Sequence, residues 1–147
     1  MQTSSPSFDA PIDLKLHHSM RGLQWVFFLH IVPVALLPFA LKPGPVLAVV
    51  AGAFALSWLW LRRHPALGFG KRAIVKLLWG ADGKWLLLDG EGRKSEATLL
   101  DSSYVHPKLM VLNFKLNIGT KQTRIILGDE ADPEMLRRLR ARLLAPR

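Results

Sequence analysis

GLQWVFFLHIVPVALLPFAL (Gly22 to Leu41) and PVLAVVAGAFALSWLWL (Pro45 to Leu61), separated only by Lys42-Pro43-Gly44 and closed by Arg62-Arg63, decide the reading of this chain. Neither stretch holds an Asp, Glu, Lys or Arg. A helix of roughly 17 to 20 residues is about 25 to 30 Å long, close to the hydrocarbon thickness of a bilayer. The pair therefore reads as a membrane hairpin. A cleaved signal peptide is the rival for the first stretch, with Lys15 and Arg21 as its charged region. It fits poorly, because the apolar region is too long, no small-x-small site follows it, and a second apolar stretch comes next.

Working outward, the basic residues gather on one side of the hairpin. Lys15 and Arg21 precede it, and Arg62, Arg63, Lys71, Arg72 and Lys76 follow it, against Lys42 alone in the connection. The positive-inside rule then places both termini in the cytoplasm, with Trp25, Trp58 and Trp60 at the same interface as the basic cluster. The expected membrane-interface residues are thus Trp25, Trp58, Trp60, Arg62, Arg63, Lys71, Arg72 and Lys76. Of the 147 residues, half are apolar and the formal charge is +9. The hairpin leaves about 80 residues for a water-soluble core, enough for one small domain. There is no Cys, which removes disulfides, thiolate nucleophiles and cysteine metal sites.

Residues Met1 to Pro11, rich in Ser and Pro, read as an unstructured tail. Pro33 and Pro38 predict a kink in the first span, tolerated because a neighbouring helix can satisfy the freed carbonyls. His30 has two readings, a proton or ligand path and a hydrogen bond to the partner helix. Ala48 with Gly52, and Ala51 with Ala55, have the small-xxx-small spacing of closely packed helices. After a short linker the pattern becomes strand-like: Ala73 to Trp79, Lys84 to Asp89, Ser95 to Leu100, Ser103 to His106, Leu109 to Leu116 and Gln122 to Leu127, with Gly-containing turns between several of them. Asp132 as N-cap, Pro133 at the first helical position and Glu134 in the first turn predict a closing helix. Leu136, Leu139 and Leu143 give it one apolar stripe.

The expected fold is a membrane α-hairpin of two transmembrane helices plus a small α+β domain, about six antiparallel strands closed by a C-terminal helix. Its divisions are a cytoplasmic N-terminal tail (1–21), the hairpin (22–61), a basic linker (62–70) and the cytoplasmic β domain (71–147). The element order resembles small barrels of the pleckstrin-homology type, by analogy alone.

No His-x-x-x-His and no Gly-rich loop before a helix occurs, so an enzyme is not expected, nor a metal or cofactor. Asp82, Asp89, Asp101 and Asp129 fall in turns, where Asp commonly bonds the local backbone. The basic residues lack interleaved aromatics for base stacking, which argues against nucleic acid. They suit membrane lipids or an acidic protein. Arg137, Arg138, Arg140 and Arg142, on the outer face of the last helix, are the candidate partner-binding residues, beside the plainer reading of a solvated face.

Asp13-Leu14-Lys15-Leu16 with Ser19, the hairpin, Leu77-Leu78 to Asp82-Gly83-Lys84-Trp85, and Asp129-Glu130-Ala131-Asp132-Pro133-Glu134-Met135-Leu136-Arg137-Arg138-Leu139-Arg140 together resemble the YgfX, or CptA, family. Leu136 stands where that family usually has an aromatic. The resemblance covers about Ile12 to Leu144 and implies a multi-pass protein of the bacterial inner membrane, the toxin of a type IV toxin–antitoxin pair. It implies inhibition of bacterial filament assembly, through the tubulin-like division protein and the actin-like shape protein. It also implies a small acidic partner of the flavinylation-factor family, the antitoxin. Two further readings stand beside it: a membrane accessory factor that recruits such an acidic factor to a respiratory enzyme, and a lipid-sensing β domain.

Overall fold

Ser19 has an extended backbone (φ −82°, ψ 110°), and its hydroxyl accepts the Gly22 N–H at 2.8 Å, so a helix starts beyond it. An N-cap of this kind satisfies one donor that the first turn would leave orphaned. In the computed structural model of the protein, which describes residues 11–145, this helix, α1, spans Met20–Ala40 and continues through Pro33 and Pro38. The expectation of an unstructured tail before Pro11 lies outside the described residues. Helix α2, Pro45–Leu61, carries Pro45 in its first turn. It returns antiparallel along α1: Phe27 meets Trp58 with ring centroids 5.5 Å apart, and His30 Nε2 shares a 3.0 Å hydrogen bond with the Ser57 hydroxyl. His30 Nδ1 donates to the Val26 carbonyl, so both ring nitrogens are engaged and the helix-to-helix bond is the role observed. Ala51 and Ala55 face α1 beside this contact, whereas Gly52 opens onto empty space.

Helix α1 has 21 residues, its most apolar 18-residue window has a mean hydropathy of 1.9, and protein leaves that window bare almost throughout, His30 being the buried exception. The core helix of a soluble protein would be covered. Here Phe39 is 89% exposed and Trp25 72%, which in water would be a large unfavourable apolar surface. Of the two spans expected, α1 by itself has the length and apolarity of a crossing. The more apolar α2, at 17 residues, is at the short end of that range.

The rest of the chain forms an antiparallel sheet of seven strands: β1 Ile12–Lys15, β2 Ile74–Trp79, β3 Trp85–Asp89, β4 Lys94–Leu99, β5 Tyr104–His106, β6 Leu109–Leu116 and β7 Lys121–Ile126. Strand β6 organises it. Its alternation buries Met110, Leu112, Phe114 and Leu116 on one face. Strand β7 occupies one edge of β6 from Met110 to Lys115. Strands β4 and β5 therefore share the other edge, with Ala97 opposite Leu116 and His106 opposite Leu109.

Six of these strands lie where the period-two pattern places them. The seventh, β1, corrects the reading of residues 1–21 as a tail. Ile12 and Leu14 enter the core and Leu16 follows them, while Asp13 and Lys15 face outward. Strand β1 pairs with β2 (Ile12 opposite Trp79, Lys15 opposite Lys76), although the whole hairpin lies between them in sequence. Loss of a leader cut after α1 would remove a strand from this core.

Helix α3, Pro133–Leu144, starts as the sequence indicates. The Asp132 carboxylate accepts the N–H groups of Glu134 at 3.0 Å and Met135 at 3.1 Å. Leu136 and Leu139 pack into the single core that also holds Ile12, Leu14, Trp79, Trp85 and Phe114. Full burial of such side chains stabilises by roughly 1.5 to 3 kcal/mol each.

Candidate functional site

The two ends of the hairpin meet the sheet at one polar seam. After β7 the chain turns through Gly128, at φ +97°, into Asp129 and Glu130. One oxygen of the Asp129 carboxylate accepts the Ser19 hydroxyl at 3.0 Å, and the other accepts the Arg21 N–H at 2.8 Å. A carboxylate at the first turn of α1 also complements the positive end of the helix dipole. Burial pushes the Asp129 carboxyl pKa up, but the Arg21 N–H, the Ser19 hydroxyl and the Arg21 charge together outweigh it and hold the group below its ordinary value. A depressed carboxyl stabilises the fold above its unfolded pKa, so this clasp is at full strength near neutrality and weakens as the pH falls through the lowered value. The backbone continues the seam: the His17 N–H donates to the Glu130 carbonyl at 2.7 Å and the Ser19 N–H to the Leu67 carbonyl at 3.0 Å.

Under this seam lies a buried charge. Arg124, on the inward face of β7, and Glu130 are both fully buried. The Glu130 carboxylate accepts the N–H groups of Leu127 and Gly128 at 2.8 Å. Arg124 Nη2 donates to the His17 carbonyl, and its Nε and Nη1 have no hydrogen-bond partner among the described residues. Burial lowers the Arg124 pKa, while the charge of Glu130 and, after it, that of Asp129 oppose the shift. The guanidinium lies against Gly68, at φ +90° after the short 3-10 turn Pro65–Leu67, where a side chain would overlap it. Arg124 thus touches both the segment between β1 and α1 that enters the hairpin and the turn leaving it.

The residues expected at the membrane surface divide. Trp25 and Trp60 are exposed on the hairpin; Trp58 faces α1, between Phe27 and His30. Arg62 and Arg63 follow α2 directly, Arg63 exposed. Lys71 is exposed, 3.8 Å from Glu91, and Arg72 is exposed with no ion pair among the described residues. Lys76 is committed to Asp13 at 2.8 Å across β1 and β2.

The four arginines of α3 also divide. Arg137 and Arg138 are exposed and bond Glu134, whose carboxyl is held down at about 2, chiefly by its hydrogen bonds from Arg137. Arg140 donates to the Pro107 carbonyl at 2.7 Å. Arg142 donates to the Gly80 carbonyl at 3.1 Å and lies 4.3 Å over the Trp79 ring. Those two fasten the helix to the sheet, so a charge reversal at Arg140 or Arg142 tests packing as well as recognition. Among the described residues no three His, Asp or Glu side chains gather to hold a metal ion.

Sequence reasoning missed Arg124 and Glu130. The available signal was a cation at an inward position of β7, between Gln122 and Ile126. Two of the stretches that carried the resemblance, Asp13 to Ser19 and Asp129 onward, are brought together at this seam.

No curated protein and no solved structure is matched by the chain. The family described as the membrane-bound toxin component of a toxin–antitoxin system matches residues 10–147, which takes in the inserted strand β1, the apolar hairpin, the sheet and the closing helix. A membrane-bound protein with an antitoxin partner follows from that match, and the chain belongs to the CptA toxin family.

Proposed function

We propose that the hairpin crosses the cytoplasmic membrane twice and holds the whole β domain on its inner face, where the protein acts by stoichiometric binding rather than catalysis. The observation that carries this is the pairing of β1 with β2. The chain enters and leaves the hairpin within one sheet, and a single crossing would put those strands on opposite sides of the lipid. Two crossings or none are compatible with it, and the bare apolar surface of α1 favours two. Arg21, Arg62 and Arg63 at the sheet end, against Lys42 alone at the turn, set that end inside.

The partner is a small acidic antitoxin of the flavinylation-factor type, captured by the basic surface of the domain. The targets are the tubulin-like and actin-like filament proteins, whose assembly the bound domain blocks. Arg137 and Arg138 are the exposed arginines of α3 and the first residues to test, because charges at the rim of an interface act mainly through steering. Changing both to Glu is expected to weaken antitoxin binding by about tenfold at low salt, and less at high salt, with the domain still folded. The measurement is affinity of the purified full chain for the antitoxin, with crosslinking in cells to identify the targets. Unchanged affinity would take α3 out of the interface. Recovery of respiratory dehydrogenase subunits in place of filament proteins would favour an assembly factor and overturn the filament reading.

A further inference from the structure

The inner face of the curled sheet is closed by α3 only at one end. At the other end the strands stop short and leave an open groove of about 700 Å³. Its walls come from the start of β2, the end of β3, the start of β4, the Leu116 to Lys121 turn and the segment after α2, as the pairings Ile74 to Asp89, Leu88 to Lys94 and Lys115 to Lys121 require.

Three cations line it: Arg72, Arg93 and Lys121. The lining carboxylate, Asp89, is already matched. It accepts the Arg93 Nε–H at 2.9 Å and the N–H groups of Glu91 and Arg93 at 2.9 Å, and these outweigh burial to keep its pKa below the ordinary carboxylate value. Arg72 and Lys121 have no ion pair among the described residues. Two unmatched cations therefore face a groove whose floor, Ile74 and Leu116, is apolar.

Position supplies the rest. His64 and Pro65 line the groove and follow Leu61, the last residue of α2, within a few positions. The His64 ring stacks edgewise on exposed Trp60 at 5.2 Å. At the rim Ile118 is 79% exposed, an apolar side chain that water does not favour. The groove joins positive charge, hydroxyl and amide donors from Ser95, Thr120 and Gln122, and an apolar lip, beside the lipid surface that the hairpin reading requires.

We infer that this groove binds the phosphate headgroup of an anionic phospholipid, with Arg72 and Lys121 on the phosphate and Ile118 against the first carbons of an acyl chain. A soluble phosphate compound would use the same cations but gain nothing from Ile118. The inference rests on the anchored reading above, yet its test does not depend on topology.

The full chain in neutral detergent is titrated calorimetrically with short-chain phosphatidylglycerol, short-chain phosphatidylcholine and glycerol phosphate. Phosphatidylglycerol is expected to bind one to one, about tenfold tighter than phosphatidylcholine. The Arg72→Glu/Lys121→Glu double variant is expected to lose at least about tenfold of that affinity. The Arg137→Glu/Arg138→Glu variant, with the same change in net charge, keeps it. Ile118→Ser weakens phosphatidylglycerol and leaves glycerol phosphate unchanged. If the double Glu variant does not fold, Arg72→Gln/Lys121→Gln provides the same comparison.

Equal losses in both double Glu variants would reduce the effect to net charge and overturn the site. Glycerol phosphate binding as tightly as phosphatidylglycerol would make it a soluble-anion site. Competition by the acidic antitoxin, with no lipid preference, would assign the groove to the protein partner instead.

Discussion

Replacing Gly68 by alanine is expected to destabilise the β domain by about 2 to 4 kcal/mol, combining roughly 1 to 3 for overpacking with about 1 for a left-handed backbone that alanine resists. The new methyl carbon would lie 2.7 Å from Arg124 Cζ and inside the guanidinium. The flexible end of an arginine normally swings aside at little cost. Here it is fully buried and bonded to the His17 carbonyl, so retreat breaks the contact that ties the two ends of the hairpin to β7. Thermal unfolding of the full chain in detergent, followed by tryptophan fluorescence, measures the loss. An Arg124→Met background separates the causes. If the overlap dominates, Gly68→Ala costs much less there, leaving only the backbone contribution, and the two substitutions are strongly non-additive. An equal cost in both backgrounds would mean that Arg124 does not occupy the space beside Gly68.

A comparable effect is expected from Leu14→Asp. Leu14 is 1% exposed and lies opposite Leu77 on β2. A carboxylate there would replace an apolar side chain of the core cluster, and a charge forced into such surroundings costs about 4 kcal/mol or more. That is a large share of the roughly 5 to 15 kcal/mol that keeps a domain folded. The helices of the hairpin are untouched, so the variant should remain in the membrane fraction while its sheet becomes sensitive to protease and its antitoxin capture fails. Asp13→Ala, one position away on the outward face, loses only the partly exposed pair with Lys76 and should change stability by less than about 1 kcal/mol. Protease resistance retained by Leu14→Asp would return residues 12–15 to the status of a tail.

Those four residues show where the sequence stops being legible. The hairpin could be read because charge is absent over long stretches, a signal that needs no tertiary context. Six strands could be read because each holds its alternation or sits between turn residues, and α3 because Asp132 and Pro133 mark its start. Strand β1 has two inward residues and two outward ones, too few for a period to stand out. Of its charges, Lys15 reads as part of the basic membrane flank. Partnership with β2 across the hairpin is a long-range contact that no local pattern carries.

The seam was hidden for a related reason. An Asp in a turn usually serves its own backbone, as Asp82 and Asp89 do. Asp129 reaches back to Ser19 and Arg21 instead, and only the fold reveals the difference. Arg124 broke the pattern of β7 openly, yet a lone cation in a strand is most often solvent-facing. The groove is less visible still, since Arg72 and Lys121 share it only because strand pairing brings their segments together. On α3 the sequence showed four arginines as equals. Trp79 and the carbonyls of Gly80 and Pro107 divide them into two that hold the helix down and two that face solvent.

Because β1 is completed by a strand that follows the hairpin, the order of synthesis matters. Ile12 to Lys15 leave the ribosome first and have no neighbour to pair with until Ile74 to Trp79 emerge, by which time both apolar helices have been made. The core of the domain closes only after both helices of the hairpin have been made. A chain stalled or released before that point carries an unfinished sheet, so closure of the core requires that the whole apolar hairpin has been synthesised.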